Sequence, residues 1–364
     1  TGTGLWTGGA ISGSEKFLNE GEFEIRGDNK TLSVLFRKEG SVIHDGSTIF
    51  FDNATLNNTA TSTYELRSGA LVARGNSRNW TFNNSGVLNN TTNSNSIVDT
   101  IFNNAGTVAV QDGTLSFTRG YTQFAGTTRL LGGDLTSSTP LNIQAGFIDG
   151  FGQISANVNN SGVLDPGLGI GVLNLSGDYN QSATGTLNLE IGGLGPNEFD
   201  RFNIDGDANF NGILNITFVD GYVPQLGDIF QVATFDSFSG GFSEINIVGF
   251  DESTVDWELD SILENGELVI SATQPGLDGP DLEVQSVAAT VTAADLGDDI
   301  EISWTVKNLG DTPATPNWSD RIYLSTDPTL DPNSDRLLLT QPASGFIRLE
   351  PGEEYTQTAT IRLP

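Results

Sequence analysis

The sequence has no cysteine and no methionine, and its single histidine is His44. Without cysteine the chain can form neither a disulfide framework nor a thiolate metal site. Zinc centres normally take several histidine or cysteine ligands, so a lone histidine argues against zinc chemistry as well. The chain must therefore obtain its stability from packing and hydrogen bonding, which stacked repeats supply along their whole length.

Basic residues are also scarce. Lysine and arginine number 16 against 46 aspartates and glutamates, which gives a formal net charge of −30 at pH 7. A charge of this sign repels nucleic acids and anionic membrane surfaces, so we expect neither nucleic-acid binding nor membrane insertion. It favours solubility and the binding of divalent cations, which prefer oxygen ligands.

Long amphipathic helices are missing too. Apolar residues make up 37% of the chain, but no long stretch follows the 3.6-residue period of a helix. Short runs alternate between apolar and polar residues instead, as in Thr31–Phe36, Thr107–Val110, Thr186–Ile191 and Leu268–Ser271. A period of two is typical of strands, and the 44 glycines supply turns between them. The sequence therefore predicts an all-β protein.

A short phrase of Asn, one spacer residue and Gly recurs ahead of these runs. It begins at Asn19, Asn84, Asn104 and Asn160. The spacings are close to multiples of about 20 residues, and such a period indicates a solenoid. In a β-helix each coil stacks on the previous one, so a turn phrase returns to the same corner. We therefore expect Asn84, Asn104 and Asn160 to lie at equivalent corners.

Changes in composition divide the chain into four parts. We predict a right-handed parallel β-helix (solenoid) for residues 1–192, followed by terminal coils and a β-rich cap for residues 193–271. Residues 272–281 are rich in proline and glycine and predict a linker. Residues 282–364 again contain strand-like runs, such as Ile300–Val306, and predict an Ig-like β-sandwich.

The C-terminal part resembles the bacterial cell-adhesion-related domain known as CARDB. The phrases that carry the resemblance are Asp281–Val284, Ile302–Gly310, Asp320–Asp327 and Leu349–Glu354. The resemblance implies an Ig-like sandwich in an extracellular bacterial protein, usually one bead in a long string. The family has one or two further strands beyond the position of Pro364, so we expect the sandwich to be incomplete and the polypeptide to continue.

Residues 1–270 are similar to the passenger β-helices of bacterial autotransporters and related adhesins. The similar phrases are Phe102–Val108, Gly113–Phe117, Asn160–Gly167 and Leu226–Val232. This resemblance implies a rod-like protein on or outside a bacterial cell.

Groups for catalysis are few. His44 stands at a predicted strand end and is expected to be a bystander. Two pairs of acids, Asp134 with Asp149 and Glu190 with Asp200, have the residue types of glycoside hydrolysis, but nothing in the sequence separates them from ordinary surface acids. The sequence therefore predicts a protein that is not an enzyme.

Calcium is the one cofactor that the sequence suggests. A proline-containing acidic loop supplies the first set of oxygen ligands, and a run between two predicted strands supplies a weaker second set. The first set is Asp327, Asp331, Asn333 and Asp335, and the second is Asp205, Asp207 and Asn209.

These observations together predict a non-enzymatic, extracellular or cell-surface protein of structural and adhesive function. It would be a rod-like stalk or a subunit of a fibre or sheath, with other copies of itself, other domains of a longer chain, or surface polysaccharide as partners. One alternative is a carbohydrate-binding or carbohydrate-cleaving β-helix, which requires exposed aromatic rings beside carboxylates. The aromatic candidates are Trp6, Trp80, Tyr121 and Trp257. Another alternative, an ice- or mineral-binding surface, requires outward threonine rows such as Thr59, Thr61 and Thr63.

Overall fold

All regular structure in the described residues is β-strand, which confirms the predicted all-β class. The computed structural model describes residues 2–73, 80–249, 256–258, 263–264, 267–273, 279–310, 312–315, 318–327, 330–331, 335–342 and 348–364. Contacts divide the chain into two compact units, Thr1–Asp251 with Trp257–Ala272 and Glu252–Asp256 with Thr273–Pro364. Within the described part, no helix is long and apolar enough to span a membrane.

The first unit is a parallel β-solenoid, as predicted. The chain passes in turn through three stacks of strands, faces A, B and C, and one such circuit is a coil. Each strand pairs in parallel with the strand one coil earlier and the strand one coil later on the same face, as Val87–Asn90 does with Thr63–Leu66 and Thr107–Val110. The parallel ladders extend from Thr3 to Val248, so they continue past residue 192.

The strands of the three faces are as follows. Face A contains Thr3–Trp6, Glu22–Ile25, Ser41–His44, Thr63–Leu66, Val87–Asn90, Thr107–Val110, the first parts of Thr127–Ser137 and Phe147–Ser155, Val163–Pro166, Thr186–Ile191, Ile213–Phe218 and Glu244–Val248. Face B contains Gly9–Ser12, Lys30–Ser33, Ser47–Phe51, Gly69–Ala73, Asn95–Asp99, Thr114–Phe117, the second parts of Thr127–Ser137 and Phe147–Ser155, Val172–Leu175, Arg201–Ile204 and Ile229–Thr234. Face C contains Phe17–Asn19, Leu35–Lys38, Thr55–Asn58, Thr81–Asn84, Ile101–Asn104, Tyr121–Gln123, Leu141–Ile143, Val158–Asn160, Tyr179–Gln181, Asp207–Phe210 and Ser237–Gly240.

The core of the solenoid is a column of side chains rather than a single centre. Phe82, Phe102 and Tyr121 occupy the same inward position of face C in three successive coils, and all three are fully buried. Their ring centroids are 5.1 Å apart between Phe82 and Phe102 and 5.2 Å apart between Phe102 and Tyr121. Neighbouring strands lie about 4.8 Å apart, so side chains at equivalent positions pack directly on one another.

A second inward position of face C is polar. Its polar members, which we call the inner polar row, are Asn19, Lys38, Asn58, Asn84, Asn104, Gln123, Asn160 and Gln181, with Ile143 in the coil between Gln123 and Asn160. All of them are buried. The prediction that Asn84, Asn104 and Asn160 share one corner is therefore confirmed.

The Asn-x-Gly phrase closes each corner locally. Asn104 Oδ1 accepts the N–H of Gly106 at 3.2 Å, and Asn160 Oδ1 accepts the N–H of Gly162 at 3.0 Å. The glycines also stack from coil to coil. A Cβ atom on Gly106 would collide with the carbonyl oxygen of Gly86, so only glycine allows the coils to approach this closely.

The last strands of the first unit depart from the parallel pattern. Glu267–Thr273 pairs antiparallel with Ile229–Thr234 of face B and with Leu263–Glu264, and Asp256–Glu258 adds a further short strand to this sheet. An antiparallel neighbour satisfies backbone groups that the next coil would otherwise satisfy. Of the predicted linker, residues 274–278 lie outside the described residues.

The second unit contains two antiparallel sheets around one core, consistent with the predicted sandwich. The first sheet consists of Leu282–Ala289, Asp299–Asn308 and Glu354–Arg362, and the second of Ser319–Leu324 and Arg336–Pro342. Trp304 and Tyr355 of the first sheet lie in the core, and Ile322 of the second packs against it. Asp320 joins the sheets, because its carboxylate accepts hydrogen bonds from Trp304 Nε1 at 2.7 Å and Tyr355 OH at 2.8 Å.

Candidate functional site

One outward position of face A carries a continuous series of polar side chains. Successive coils place there Arg129, Asp149, Asp165, Asn188, Asn215 and Asn246, which we call the outer row. Their strands alternate between inward apolar and outward polar residues, so one polar side chain per coil emerges at this position.

The outer row begins with an ion pair. Arg129 Nε donates to Asp149 Oδ1 at 2.8 Å, and Arg129 Nη2 donates to Asp149 Oδ2 at 2.6 Å. This two-point geometry fixes the plane of both groups. The ion pair therefore holds the Asp149 carboxylate in place beside Asp165, which follows it one coil later.

Asp165 is the acid of the outer row whose pKa is clearly shifted from its ordinary value. Burial raises the pKa of Asp165 to about 6, and the negative charges of Glu190 and Asp149 add to the rise, whereas a hydrogen bond from Asn188 opposes it. A carboxyl with this pKa changes charge just below neutral pH. Perturbed acids of this kind are concentrated at functional sites, although structural networks produce them as well.

A chain of side-chain amides leads to Asp165. Asn246 Nδ2 donates to Asn215 Oδ1 at 3.0 Å, and Asn215 Nδ2 donates to Asn188 Oδ1 at 2.9 Å. Asn188 in turn hydrogen-bonds to Asp165. Because every amide donates in the same direction, the dipoles add along the row and end on a carboxylate.

The row borders an open groove of about 350 Å³ lined by Asp165, Asn188, Leu189, Glu190, Asn215, Thr217, Asn246 and Val248. Two exposed aromatic rings stand on the adjoining coil. Phe147 and Phe151 flank Asp149 on the same strand, and their exposed fractions are 47% and 46%. Exposed rings beside carboxylates and amides form a surface that can stack on sugar rings and hydrogen-bond to their hydroxyls.

The structure brings together one of the two predicted acid pairs. Asp200 Oδ2 accepts the N–H of Glu190 at 2.7 Å, and Asp200 Oδ1 accepts the N–H of Gly171 at 2.7 Å. Asp200 is fully buried, and burial raises its pKa to about 8 despite these two donors, with the charges of Asp165 and Glu190 adding to the rise. Asp200 therefore supports the backbone behind the groove, while Asp165 and Glu190 line it.

The other predicted pair is separated between two faces. Asp149 belongs to the face A part of its strand, whereas Asp134 pairs with Thr114 and Gln153 on face B. The sequence analysis paired Asp149 with Asp134, and the structure does not bring these two acids together. Its partners on face A are Arg129 and Asp165, one coil before it and one coil after it.

Of the four aromatic candidates named from the sequence, the three whose side chains the structure describes do not form an exposed platform. Trp6 and Tyr121 are buried, Trp80 packs against the guanidinium of Arg119, and the side chain of Trp257 lies outside the described residues. Phe147 and Phe151 were missed. The only signal in the sequence was their spacing of four residues, with Asp149 midway between them.

His44 is a structural residue of the solenoid interior. It is fully buried, its Nε2 donates to the carbonyl oxygen of Ser47 at 2.8 Å, and its Nδ1 accepts from Tyr64 OH at 3.0 Å. Burial lowers the pKa of His44 to about 4, so the ring is neutral at physiological pH. These contacts agree with the expectation that His44 is a bystander.

The predicted calcium ligands belong to both units. In the second unit, Asp335 Oδ2 accepts the N–H of Asp331 at 2.7 Å and the N–H of Asp335 donates to the carbonyl oxygen of Asp331 at 2.8 Å, which closes a turn; Asn333 lies outside the described residues. In the first unit, Asp207 and Asn209 point outward from face C, and Asp205 precedes them at a corner.

The described residues contain no group of three or more histidine, cysteine, aspartate or glutamate side chains arranged to hold a metal ion. Calcium binding by either set stays a prediction.

Comparison with known proteins adds no identification. No protein-family model matches the chain, and no curated protein matches it either.

Proposed function

We propose that this chain is a structural and adhesive component of a bacterial cell surface, with the solenoid as its rigid part. The observation that supports this most is the solenoid interior, in which stacked aromatic rings connect the coils of Phe82, Phe102 and Tyr121. A buried chain of amides likewise connects the coils of Asn58, Asn84 and Asn104. Deforming such a rod requires breaking packing and hydrogen bonds at many levels together. The resemblance of the second unit to CARDB, a domain of extracellular bacterial proteins, supports the same location.

The test is electron microscopy of native material with a gold-labelled antibody against the solenoid, combined with light scattering and intact-mass measurement. We expect label outside the cells, on stalks, fibres or a sheath. A mass far above that of this chain without polymer indicates a piece of a long stalk, whereas micrometre-long fibres built from short chains indicate a polymer. Label confined to the cell interior would contradict the proposal.

A second candidate function is glycan binding, and the groove beside the outer row favours it. Phe147 and Phe151 flank the Arg129–Asp149 pair, and Asp165 follows in the next coil, so stacking and hydrogen-bonding groups share one surface. The net charge of −30 favours a neutral glycan over an acidic one. We propose neutral polysaccharide as the ligand of this surface.

Titration calorimetry with neutral polysaccharides tests this candidate. Phe147→Ala and Phe151→Ala should each weaken binding by about 10- to 150-fold, since burying a ring contributes roughly 1.5–3 kcal/mol. Phe124→Ala is the matched control, because Phe124 is 51% exposed but lies at the corner that follows face C. Equal losses of affinity in all three variants would contradict glycan binding at this surface. Release of shorter oligosaccharides, abolished by Asp165→Asn, would show cleavage rather than binding.

A further inference from the structure

One residue of the inner polar row differs in chemistry from the others. Lys38 occupies the position at which the other members of the inner polar row are Asn or Gln, and it is fully buried. Its Nζ donates to Asn58 Oδ1, one coil later, at 2.7 Å. Burial lowers the pKa of Lys38 to about 7, so a large share of the amine is unprotonated at neutral pH. An unprotonated lysine amine is a nucleophile.

The carboxamide next to this amine is held and polarised. Asn58 Oδ1 also accepts from Ser62 Oγ at 2.6 Å, while Asn58 Nδ2 donates to Asn84 Oδ1 at 2.6 Å and to the carbonyl oxygen of Val87 at 3.0 Å. Donors on a carbonyl oxygen stabilise the negative charge that develops there when a nucleophile adds to the carbon. Holding the amine and the carboxamide side by side makes their reaction unimolecular, which lowers its entropic cost.

We propose that Lys38 and Asn58 form an intramolecular isopeptide bond that joins the second and third coils. The amine nitrogen Nζ of Lys38 adds to Cγ of Asn58, a Nζ–Cγ bond forms, and the Cγ–Nδ2 bond breaks. The Lys38 nitrogen loses one proton and the departing nitrogen gains one, so ammonia leaves and no oxidant or reductant is needed. For addition, Nζ moves from the carbonyl oxygen of Asn58, which it contacts in the structure, to the carbon Cγ beside it.

The surrounding contacts assign a role to each neighbour. Ser62 Oγ contacts the carbonyl oxygen of Asn58 and is placed to stabilise the negative charge that develops there during addition. Asn84 keeps the plane of the carboxamide fixed. The resulting amide joins residues 20 positions apart in sequence, in a chain that has no cysteine for a disulfide. The inference is independent of the proposed functions.

The chain contains a matched control lysine. Lys30 is also buried, but its Nζ donates to the backbone carbonyl oxygens of Arg26 and Asp28 and has no side-chain carboxamide as acceptor. Lys30 should therefore stay a free amine.

Mass spectrometry of the folded wild-type chain, incubated at pH 8 so that Lys38 is largely unprotonated, tests the bond. We expect an intact mass lower than the sequence mass by one ammonia. Cleavage at Asp45 and Asp52, which lie between the two residues, should leave the peptides that contain Lys38 and Asn58 joined. A full sequence mass, or an ammonia loss mapped to another asparagine without joined peptides, would overturn the proposal.

Two variants sharpen this result. Lys38→Arg keeps a donor at the position but has no nucleophilic amine, so the joined peptides should disappear, whereas Lys30→Arg should keep them. If Lys38→Arg fails to fold, the wild-type peptide map still decides the question. Asn58→Asp provides a second readout, because the same bond then forms with loss of water instead of ammonia. Joined peptides in Lys38→Arg would contradict the assignment.

Discussion

Asn58 and Asn84 are 26 residues apart in sequence, yet Asn58 Nδ2 donates to Asn84 Oδ1 at 2.6 Å inside the solenoid. Asn84 in turn donates to Asn104 Oδ1 at 2.8 Å, and Asn104 donates to Gln123 Oε1 at 3.0 Å. Each amide is therefore both donor and acceptor in a buried chain. A chain of this kind is stable only while every member is present, because a buried group without a partner is costly.

Asn84→Ala should destabilise the solenoid by about 2–4 kcal/mol, because it leaves Asn58 Nδ2 and Asn104 Oδ1 short of a partner in a buried place. Asn83→Ala is the control on the same strand, since Asn83 points outward, and it should cost less than about 1 kcal/mol. Urea unfolding followed by circular dichroism measures both. Equal losses would mean that the inner polar row contributes no more than an outer asparagine.

Protonation of His44 should destabilise the fold at acid pH. Its pKa is about 4 in the folded chain against 6.5 in the unfolded chain, so the unfolded state binds more protons between these values. The stability is fully present above pH 6.5 and falls by about 3 kcal/mol as the pH drops to 4. His44→Gln keeps a donor and an acceptor but does not titrate, so the difference between the two unfolding profiles isolates the histidine. A constant difference from pH 7 to pH 4 would contradict the assignment.

Asp165→Asn should stabilise the chain above pH 6. Burial and the charges of Glu190 and Asp149 raise the pKa of Asp165 from 3.8 to about 6, so its ionised form is disfavoured in the folded state. The resulting loss of folding stability grows as the pH rises from 3.8 to 6 and is complete above pH 6. After allowance for partial exposure, this loss amounts to about 1–2 kcal/mol. Urea unfolding at pH 4 and pH 8 measures it. If the variant gains stability but loses glycan binding, Asp165 is retained for function. If Asp165→Asn changes the stability equally at pH 4 and pH 8, the charge of Asp165 is not the cause.

Calcium should raise the melting temperature of the second unit through Asp327, Asp331 and Asp335. Oxygen ligands from one loop suit this hard cation, and binding to the folded state alone raises the melting temperature. Differential scanning calorimetry with calcium and with chelator measures the shift. The triple Asp→Asn variant should lose it, while the Asp205→Asn, Asp207→Asn double variant controls for charge in the first unit. Identical melting temperatures in the two solutions would refute calcium binding here.

The contacts of Asp149 on face A could not be predicted from residue spacing. Phe147 and Phe151 lie two residues before and two residues after Asp149, but spacing alone does not show that both rings are exposed. That Asp149 meets Arg129 and Asp165 depends on which coils are neighbours. The hydrogen-bonded pairs from Lys38 to Gln123 in the inner polar row are 19 to 26 residues apart. A pairing inferred from sequence distance therefore fails wherever a corner is longer or shorter than its neighbours.

The sequence by itself determined the all-β class, because period-two alternation and frequent glycine exclude long helices. It also determined that Asn84, Asn104 and Asn160 share one corner, because the Asn-x-Gly phrase closes a turn and permits close stacking. Only the tertiary structure decided that Lys38 takes the place of an asparagine against Asn58, that Asp200 is buried behind Glu190, and that two phenylalanines stand beside Asp149. The reason is physical. Alternation reports which residues share a side of a strand, but which side is inside and which strand lies above depend on contacts between residues one coil apart.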